Sequence, residues 1–335
     1  MRYPGPEREQ NMKQNRGIKR FLALAGAMLA LAALGGCGGA QAPDSVGLAN
    51  AGYLFREAGE TYNLAEDVIL EGGEDAELVF STSDPSVAEI SGEGVLTITG
   101  EGTAKVTVAA AADEEICAAA DILVCDYTGT YTAEKYVDAM GCSVRITLSL
   151  AKDGTFSYYR YPMTVNLEGG GRMEGMEDQG TYVSSGNALR FTGDFTGAFS
   201  LAFTQDGNGR LSGDTPTGGA STAMEFERNS TESQGEDGVY LGTGERESGE
   251  EIAYQLTVES GLYTLALVDP EGAETTISAG SYSFAADGME FLAEEAGVPF
   301  HAAYDPERQA IEGTEIPVTS DSDYEVIPVT LTRQN

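Results

Sequence analysis

Residues 180–191 read GTYVSSGNALRF, and residues 280–291 read GSYSFAADGMEF. Each stretch opens on glycine, a small hydroxyl residue and tyrosine, and each closes on phenylalanine, at a shared offset of 100 residues. Leu189 and Met289 keep the same step, as do Gly197 with Gly297 and Gly213 with Gly313. Further upstream, Gly129-Thr130-Tyr131 is answered by Gly238-Val239-Tyr240, and VRITLSL at 144–150 by YQLTV at 254–258. Glycines and aromatics tied to one offset indicate an internal duplication.

Within each copy, short runs of alternating apolar and polar residues are broken by Asp-Gly, Asn-Gly and Gly-Gly pairs. That pattern belongs to antiparallel strands joined by tight turns. Each copy has room for about eight strands, and a meander that long tends to close because closure removes its exposed edges. In pattern the copies resemble the small lipocalin-like barrels of bacterial lipoproteins; an open sandwich is the alternative. The expected fold class is all-β, with the repeats at 127–233 and 234–335.

Ahead of the repeats, residues 79–108 read VFSTSDPSVAEISGEGVLTITGEGTAKVTV. Ser81, Ser83, Asp84-Pro85-Ser86-Val87-Ala88, Gly94-Val95-Leu96-Thr97 and Gly102-Thr103-Ala104 together resemble the bacterial Ig-like group 2 (BIG2) family. Phe80 stands where that family usually has tryptophan. The resemblance covers 52–126 and implies a two-sheet Ig-like β-sandwich with a spacer or adhesion role. Local chemistry agrees. Ala88 and Ile90 alternate with Glu89 as strand faces do, and Pro85 presets φ for a turn.

The N-terminus reads as an export signal. Lys13, Arg16, Lys19 and Arg20 precede an apolar run at 21–34, FLALAGAMLALAAL, which ends in small residues. A basic flank, a short apolar core and small residues define a secretory signal. Leu34, Gly35, Gly36 and Cys37 resemble the lipobox of bacterial lipoproteins, which implies cleavage after residue 36 and a lipid on Cys37. Two or three acyl chains, each methylene contributing about 0.8 kcal/mol, hold a membrane far better than one. Residues 1–11 are unlike a signal n-region, which leaves Met1 and Met12 both open as the start. Residues 37–51, small and nearly uncharged, read as a flexible tether. The expected location is the extracytoplasmic face of the cell membrane.

The chain carries 19 basic and 54 acidic residues, a net charge of −35. Loss of residues 1–36 would leave 13 basic and 52 acidic, a net of −39. Such a surface repels nucleic acid and anionic headgroups. Beyond Cys37 there remain Cys117, Cys125 and Cys142. Three thiols allow at most one internal disulfide, with Cys125–Cys142, Cys117–Cys125 and free thiols all open.

Few residues of the chain carry the marks of catalytic or metal chemistry. The single histidine, His301, lies in FHAAY at 300–304, where Phe300, Ala302 and Tyr304 share one face and His301 takes the outer one. With no second histidine, a triad or a typical zinc site lacks its parts, so no catalytic residue, metal or cofactor is expected. Ser149 and Lys152 match an S-x-x-K string, but the serine ends a strand. Asp206-Gly207-Asn208-Gly209 begins like a calcium loop, but Arg210 stands where a ligand should. Two features could serve binding. Tyr158, Tyr159 and Tyr161 form an aromatic-rich strand, with alternate rings inward and the others on the outside. Glu168, Glu174, Glu177 and Asp178 sit in a Gly-rich stretch with no counterpart of equal length in the second copy.

The function expected from these residues is that of a non-enzymatic, lipid-anchored surface protein whose Ig-like module presents two β repeats to glycan or protein partners. A barrel holding a small apolar ligand is the alternative, and it requires a hollow interior. An enzyme with paired carboxylates ranks third.

Overall fold

The computed structural model describes residues 42–334 apart from 139, 166–170, 174, 207–208, 218–220, 247 and 319–325. Cys37 and the other lipobox residues, Leu34, Gly35 and Gly36, lie outside the described residues. So does the apolar run. Among the described residues no helix is long and apolar enough to cross a membrane.

Both repeats are closed eight-stranded antiparallel barrels. The first runs through Gly129–Val137, Cys142–Leu150, Thr155–Arg160, Met176–Ser185, Ala188–Gly193, Gly197–Thr204, Arg210–Pro216 and Ser221–Arg228. The second runs through Gly238–Glu245, Glu251–Glu259, Leu262–Val268, Glu274–Ala285, Gly288–Ala296, Phe300–Asp305, Ala310–Pro317 and Val326–Arg333. In each, the first strand pairs with the last. Tyr131 lies opposite Arg228, and Tyr240 lies opposite Arg333.

The closures share one chemistry. The Tyr131 hydroxyl donates to the Tyr127 carbonyl at 2.8 Å, and that of Tyr240 to the Glu236 carbonyl at 2.5 Å, each four residues upstream. Arg228 donates to the Asp126 carbonyl at 2.9 Å, and Arg333 to the Gly235 carbonyl at 3.2 Å. Each barrel therefore staples its last strand to the segment that leads into its first.

Strand alternation decides what goes inside. Along the second strand of barrel 1, Cys142, Val144, Ile146, Leu148 and Leu150 are buried in the barrel core, while Ser143, Arg145, Thr147 and Ser149 face outward. The interiors are filled by rings. Phe191 stacks on Phe199 with centroids 4.6 Å apart, and Phe291 on Phe300 at 4.4 Å. Tyr131, Tyr158 and Phe226 complete one core, and Tyr240, Tyr254 and Tyr263 the other. Two clefts, of about 800 and 730 Å³, lie between the barrels rather than within them.

The Gly-rich stretch of the first copy is a local insertion. A short hairpin, Met163–Val165 with Gly171–Met173, stands between the third and fourth barrel strands. The second copy makes the same connection by a tight turn, in which the Gly272 amide bonds to the Asp269 carbonyl.

Ahead of the barrels, a four-stranded sheet orders Gly52–Phe55, Asp113–Val124, Gly102–Ala110 and Leu78–Thr82. A three-stranded sheet orders Thr61–Asn63, Val95–Ile98 and Ala88–Ile90. One core takes Tyr53, Val106 and Ile122 from the first sheet and Ala88, Leu96 and Ile98 from the second. The expected tether at 37–51 contains regular structure among its described residues. Ser45–Leu48 is a strand paired with Val68–Glu71, because Val46 packs with Val108 and Ala110.

The repeated glycines at 180 and 280 have a shared cause. A Cβ at either would run into backbone of the neighbouring strand, the Thr192 carbonyl in one barrel and the Leu292 carbonyl in the other. Gly180→Ala and Gly280→Ala should each lower stability by on the order of 3 kcal/mol in urea denaturation. Gly92→Ala, where nothing lies within 4 Å, should change it by less than about 0.5 kcal/mol.

Candidate functional site

The junction between the barrels holds an ion cluster, buried at its Glu290 side, assembled from outward-facing residues of both. Barrel 1 supplies Arg145 and Thr147 from its second strand and Tyr161 from just beyond its third. The Tyr161 amide bonds to the Arg145 carbonyl at 3.1 Å, which holds the two side chains together. Barrel 2 supplies Asp287 from the turn between its fourth and fifth strands, Glu290 from the fifth and His301 from the sixth. Glu290 and His301 are cross-strand partners.

Glu290 is fully buried. One carboxylate oxygen accepts from the Tyr161 hydroxyl and from Thr147 Oγ1, the latter at 3.2 Å. The other accepts from Arg145 Nε at 2.8 Å and from Arg145 Nη2. Arg145 also forks onto Asp287, with Nη1–Oδ2 at 2.7 Å and Nη2–Oδ1 at 2.9 Å, and reaches Glu134 at 3.1 Å. His301 Nδ1 lies 2.9 Å from Glu290 and 3.1 Å from Arg145 Nη2, while Nε2 lies 3.7 Å from Asp287. A planar guanidinium meeting carboxylates in a fork is the strong form of an ion pair.

The charges stabilise one another. Burial opposes the Glu290 charge, but the His301 hydrogen bond and the Arg145 charge hold its carboxyl below the usual range. The Arg145 hydrogen bonds hold Asp287 low as well. Burial works against the guanidinium too, yet Asp287 and Glu290 raise its pKa. Burial and the Glu290 charge push the Tyr161 hydroxyl well above its ordinary value, so it stays a donor. Backbone contacts complete the junction. Ser230 and Phe284 exchange two hydrogen bonds of 2.8 Å, and Asn229 donates to Ser283 at 3.0 Å.

None of these roles is duplicated. Glu290 corresponds to Arg190 at the offset of 100. The stacked rings Phe199 and Phe300 show the next strand to be shifted by one residue, so His301 corresponds to Ser200. Leu148 faces Tyr131 as Leu256 faces Tyr240, which makes Ala253 the counterpart of Arg145. Inward residues match between the copies while the outward ones at this junction do not. That mismatch marks outward positions where the copies differ, but it does not say what each side chain meets.

The expected binding tyrosines are all buried. Tyr158 is in the barrel core and bonds to the Pro216 carbonyl. Tyr159 and Tyr161 do face outward but pack edge to face at 4.8 Å, and Tyr161 is covered by barrel 2. They offer no open stacking face, because each ring is already packed, Tyr158 inside barrel 1, Tyr159 against Tyr161, and Tyr161 beneath Glu290 of barrel 2. His301 is on the outer face, as alternation required, and that face is the junction. Glu168 and Glu174 lie outside the described residues. Asp178 pins the 194–196 turn, accepting from the Phe195 amide at 2.9 Å, the Thr196 amide at 2.8 Å and the Thr196 hydroxyl at 2.5 Å.

The weaker motifs resolve into ordinary structure. Ser149 bonds to Thr130 at 3.1 Å, and Lys152 lies 3.6 Å from Asp126. Arg210 pairs with Asp206, Glu225 and Glu227. Cys117, Cys125 and Cys142 are free thiols, and burial pushes that of Cys125 up to about 11. Among the described residues, Asp287, Glu290 and His301 are the one group of three side chains placed to hold a metal ion.

Neither a protein-family model nor a curated protein sequence matches the chain. Among solved structures, a quinonprotein alcohol dehydrogenase-like protein from Bacteroides thetaiotaomicron VPI-5482 aligns over 84% of this chain and 95% of its own, at 7% identity and a TM-score of 0.16. Similarity that low carries no argument about fold or activity.

Arg145→Met strands a buried carboxylate and should cost about 3–5 kcal/mol in urea denaturation. Adding Glu290→Gln should recover more than half of that loss, since the buried charge is then gone while an acceptor for Tyr161 remains. Asp178 gives a pH dependence. Burial opposes its charge, but its bonds from Thr196, Phe195 and Gln179 hold the carboxyl below the usual range. Its contribution is therefore complete above the unfolded value of about 3.9 and is lost as pH falls through the lower folded value. Asp178→Asn should be less stable by about 2 kcal/mol at pH 7, and the gap between the two proteins should close as pH falls through that lower folded value.

Proposed function

We propose that this chain is a non-enzymatic, lipid-anchored protein of the cell surface, and that its outer faces bind a glycan or protein partner. The observation that carries this reading is the pair of filled, mutually locked barrels. Aromatic rings occupy both interiors, so the barrels offer a partner their outer surface. The charged side chains that converge at the junction are engaged with one another across it.

The anchor rests on the basic flank, the apolar run and the Leu34-Gly35-Gly36-Cys37 string. The N-terminal unit is read as a BIG2-type Ig-like sandwich serving as spacer or adhesion module. Its four-stranded and three-stranded sheets about one core match the strand count of such a sandwich. Phe80, the residue in place of tryptophan, packs against that core. The acidic surface selects neutral or basic partners and disfavours nucleic acid.

Two measurements test the reading. Expressed in a bacterial host, the full chain should incorporate a fatty-acid analogue and fractionate with membranes, and Cys37→Ser should lose both. A soluble form, residues 42–335, should bind saturably to some member of a glycan array or a panel of cell-surface proteins. Retention of the label by Cys37→Ser would refute the anchor, and turnover of a bound glycan would refute the non-enzymatic reading.

A further inference from the structure

The ion cluster holds more negative charge than its one guanidinium can balance. Glu134, Asp287 and Glu290 all contact Arg145, which leaves a net charge of −2 when His301 is neutral. At the same time a single nitrogen, Arg145 Nη2, reaches three side chains of metal-ligand type. It is 2.9 Å from Asp287 Oδ1 and 3.1 Å from His301 Nδ1, and it bonds to Glu290 Oε1. The ligand atoms of those three residues lie within 4.8 Å of one another. The guanidinium nitrogen thus stands about where a metal ion would stand.

We propose that Asp287, Glu290 and His301 form a binding site for a divalent transition-metal ion of the zinc class, which competes with the Arg145 guanidinium for the same three ligands. Two carboxylate oxygens and one imidazole nitrogen are a donor set that suits such an ion. Access is available from one side. The Asp287 side chain is 54% exposed and that of His301 23%, so an ion can enter and keep water in its remaining positions, while Glu290 closes the inner side. A divalent cation also brings the charge that the cluster lacks.

The placement is particular to this junction. The only histidine of the chain is in the set, and barrel 1 has Arg190 and Ser200 at the positions of Glu290 and His301. Because Arg145 belongs to barrel 1 and the three ligands to barrel 2, the metal and the docked barrels compete for one set of acceptors. Metal occupancy should therefore loosen the junction, and linkage requires that a weaker junction bind the metal more tightly. The inference does not depend on the proposed surface role.

The test is titration of the soluble form with Zn²⁺ alone, followed by calorimetry, with Co²⁺ absorption as a second readout of coordination. One saturable site is expected in the unaltered protein. His301→Ala should weaken it at least tenfold, and Arg145→Gln should strengthen it at least tenfold. In the unaltered protein Zn²⁺ should speed amide exchange at Ser230 and Phe284. His301→Ala alters a partly exposed side chain, so it remains a usable test if Arg145→Gln unfolds. Absence of saturable binding, or binding undiminished in His301→Ala as expected of ions condensed diffusely on an acidic surface, would overturn the proposal.

Discussion

An eight-stranded meander has two edges, each a row of backbone donors and acceptors that must find partners. In both repeats the two edges find each other, at Tyr131 with Arg228 and at Tyr240 with Arg333. Everything else in the barrels depends on that pairing. Closure sends alternate residues of every strand inward, where aromatic rings fill the space, and sends the others outward, where they are free to differ. The tyrosine and arginine at each seam fix it by bonding to the backbone just ahead of the first strand, so the segment between modules is also held.

That division between inward and outward residues explains how a duplication came to have an asymmetric junction. The inward set is constrained by volume and is retained, as in the stacked phenylalanines of each barrel. The outward set carries no such constraint, and at the junction it has become complementary, with a guanidinium on one copy and carboxylates on the other. The turn used is the same in both copies. Gly186 accepts a 2.8 Å bond from Leu54 of the preceding unit, and its counterpart turn at 286–287 brings Asp287 onto Arg145 of the preceding barrel. Each barrel thus meets its predecessor through one equivalent turn.

A buried ion pair is weak evidence for stability, since desolvation cancels much of the attraction. Its effect here is specificity of a different kind. A carboxylate as buried as Glu290 accepts only a partner that brings a cation and hydroxyl donors to the right points. Arg145, Tyr161 and Thr147 do this from three places on barrel 1. The pairing therefore selects one way for the two barrels to meet.

The sequence by itself determined the strand alternation, the duplication and the outer-face position of His301. These follow from local steric rules and from a repeat long enough to exclude chance. It did not reveal that Tyr159 and Tyr161 are covered, that Ser45–Leu48 is a strand rather than tether, or that Arg145 and Glu290 meet. Only the tertiary structure decided these. Arg145 and Glu290 are 145 residues apart, and each looks locally like an ordinary charge on a solvated strand face. Alternation tells which way a side chain points, but what it meets there depends on how two separately closed barrels pack, and no local pattern in the chain encodes that.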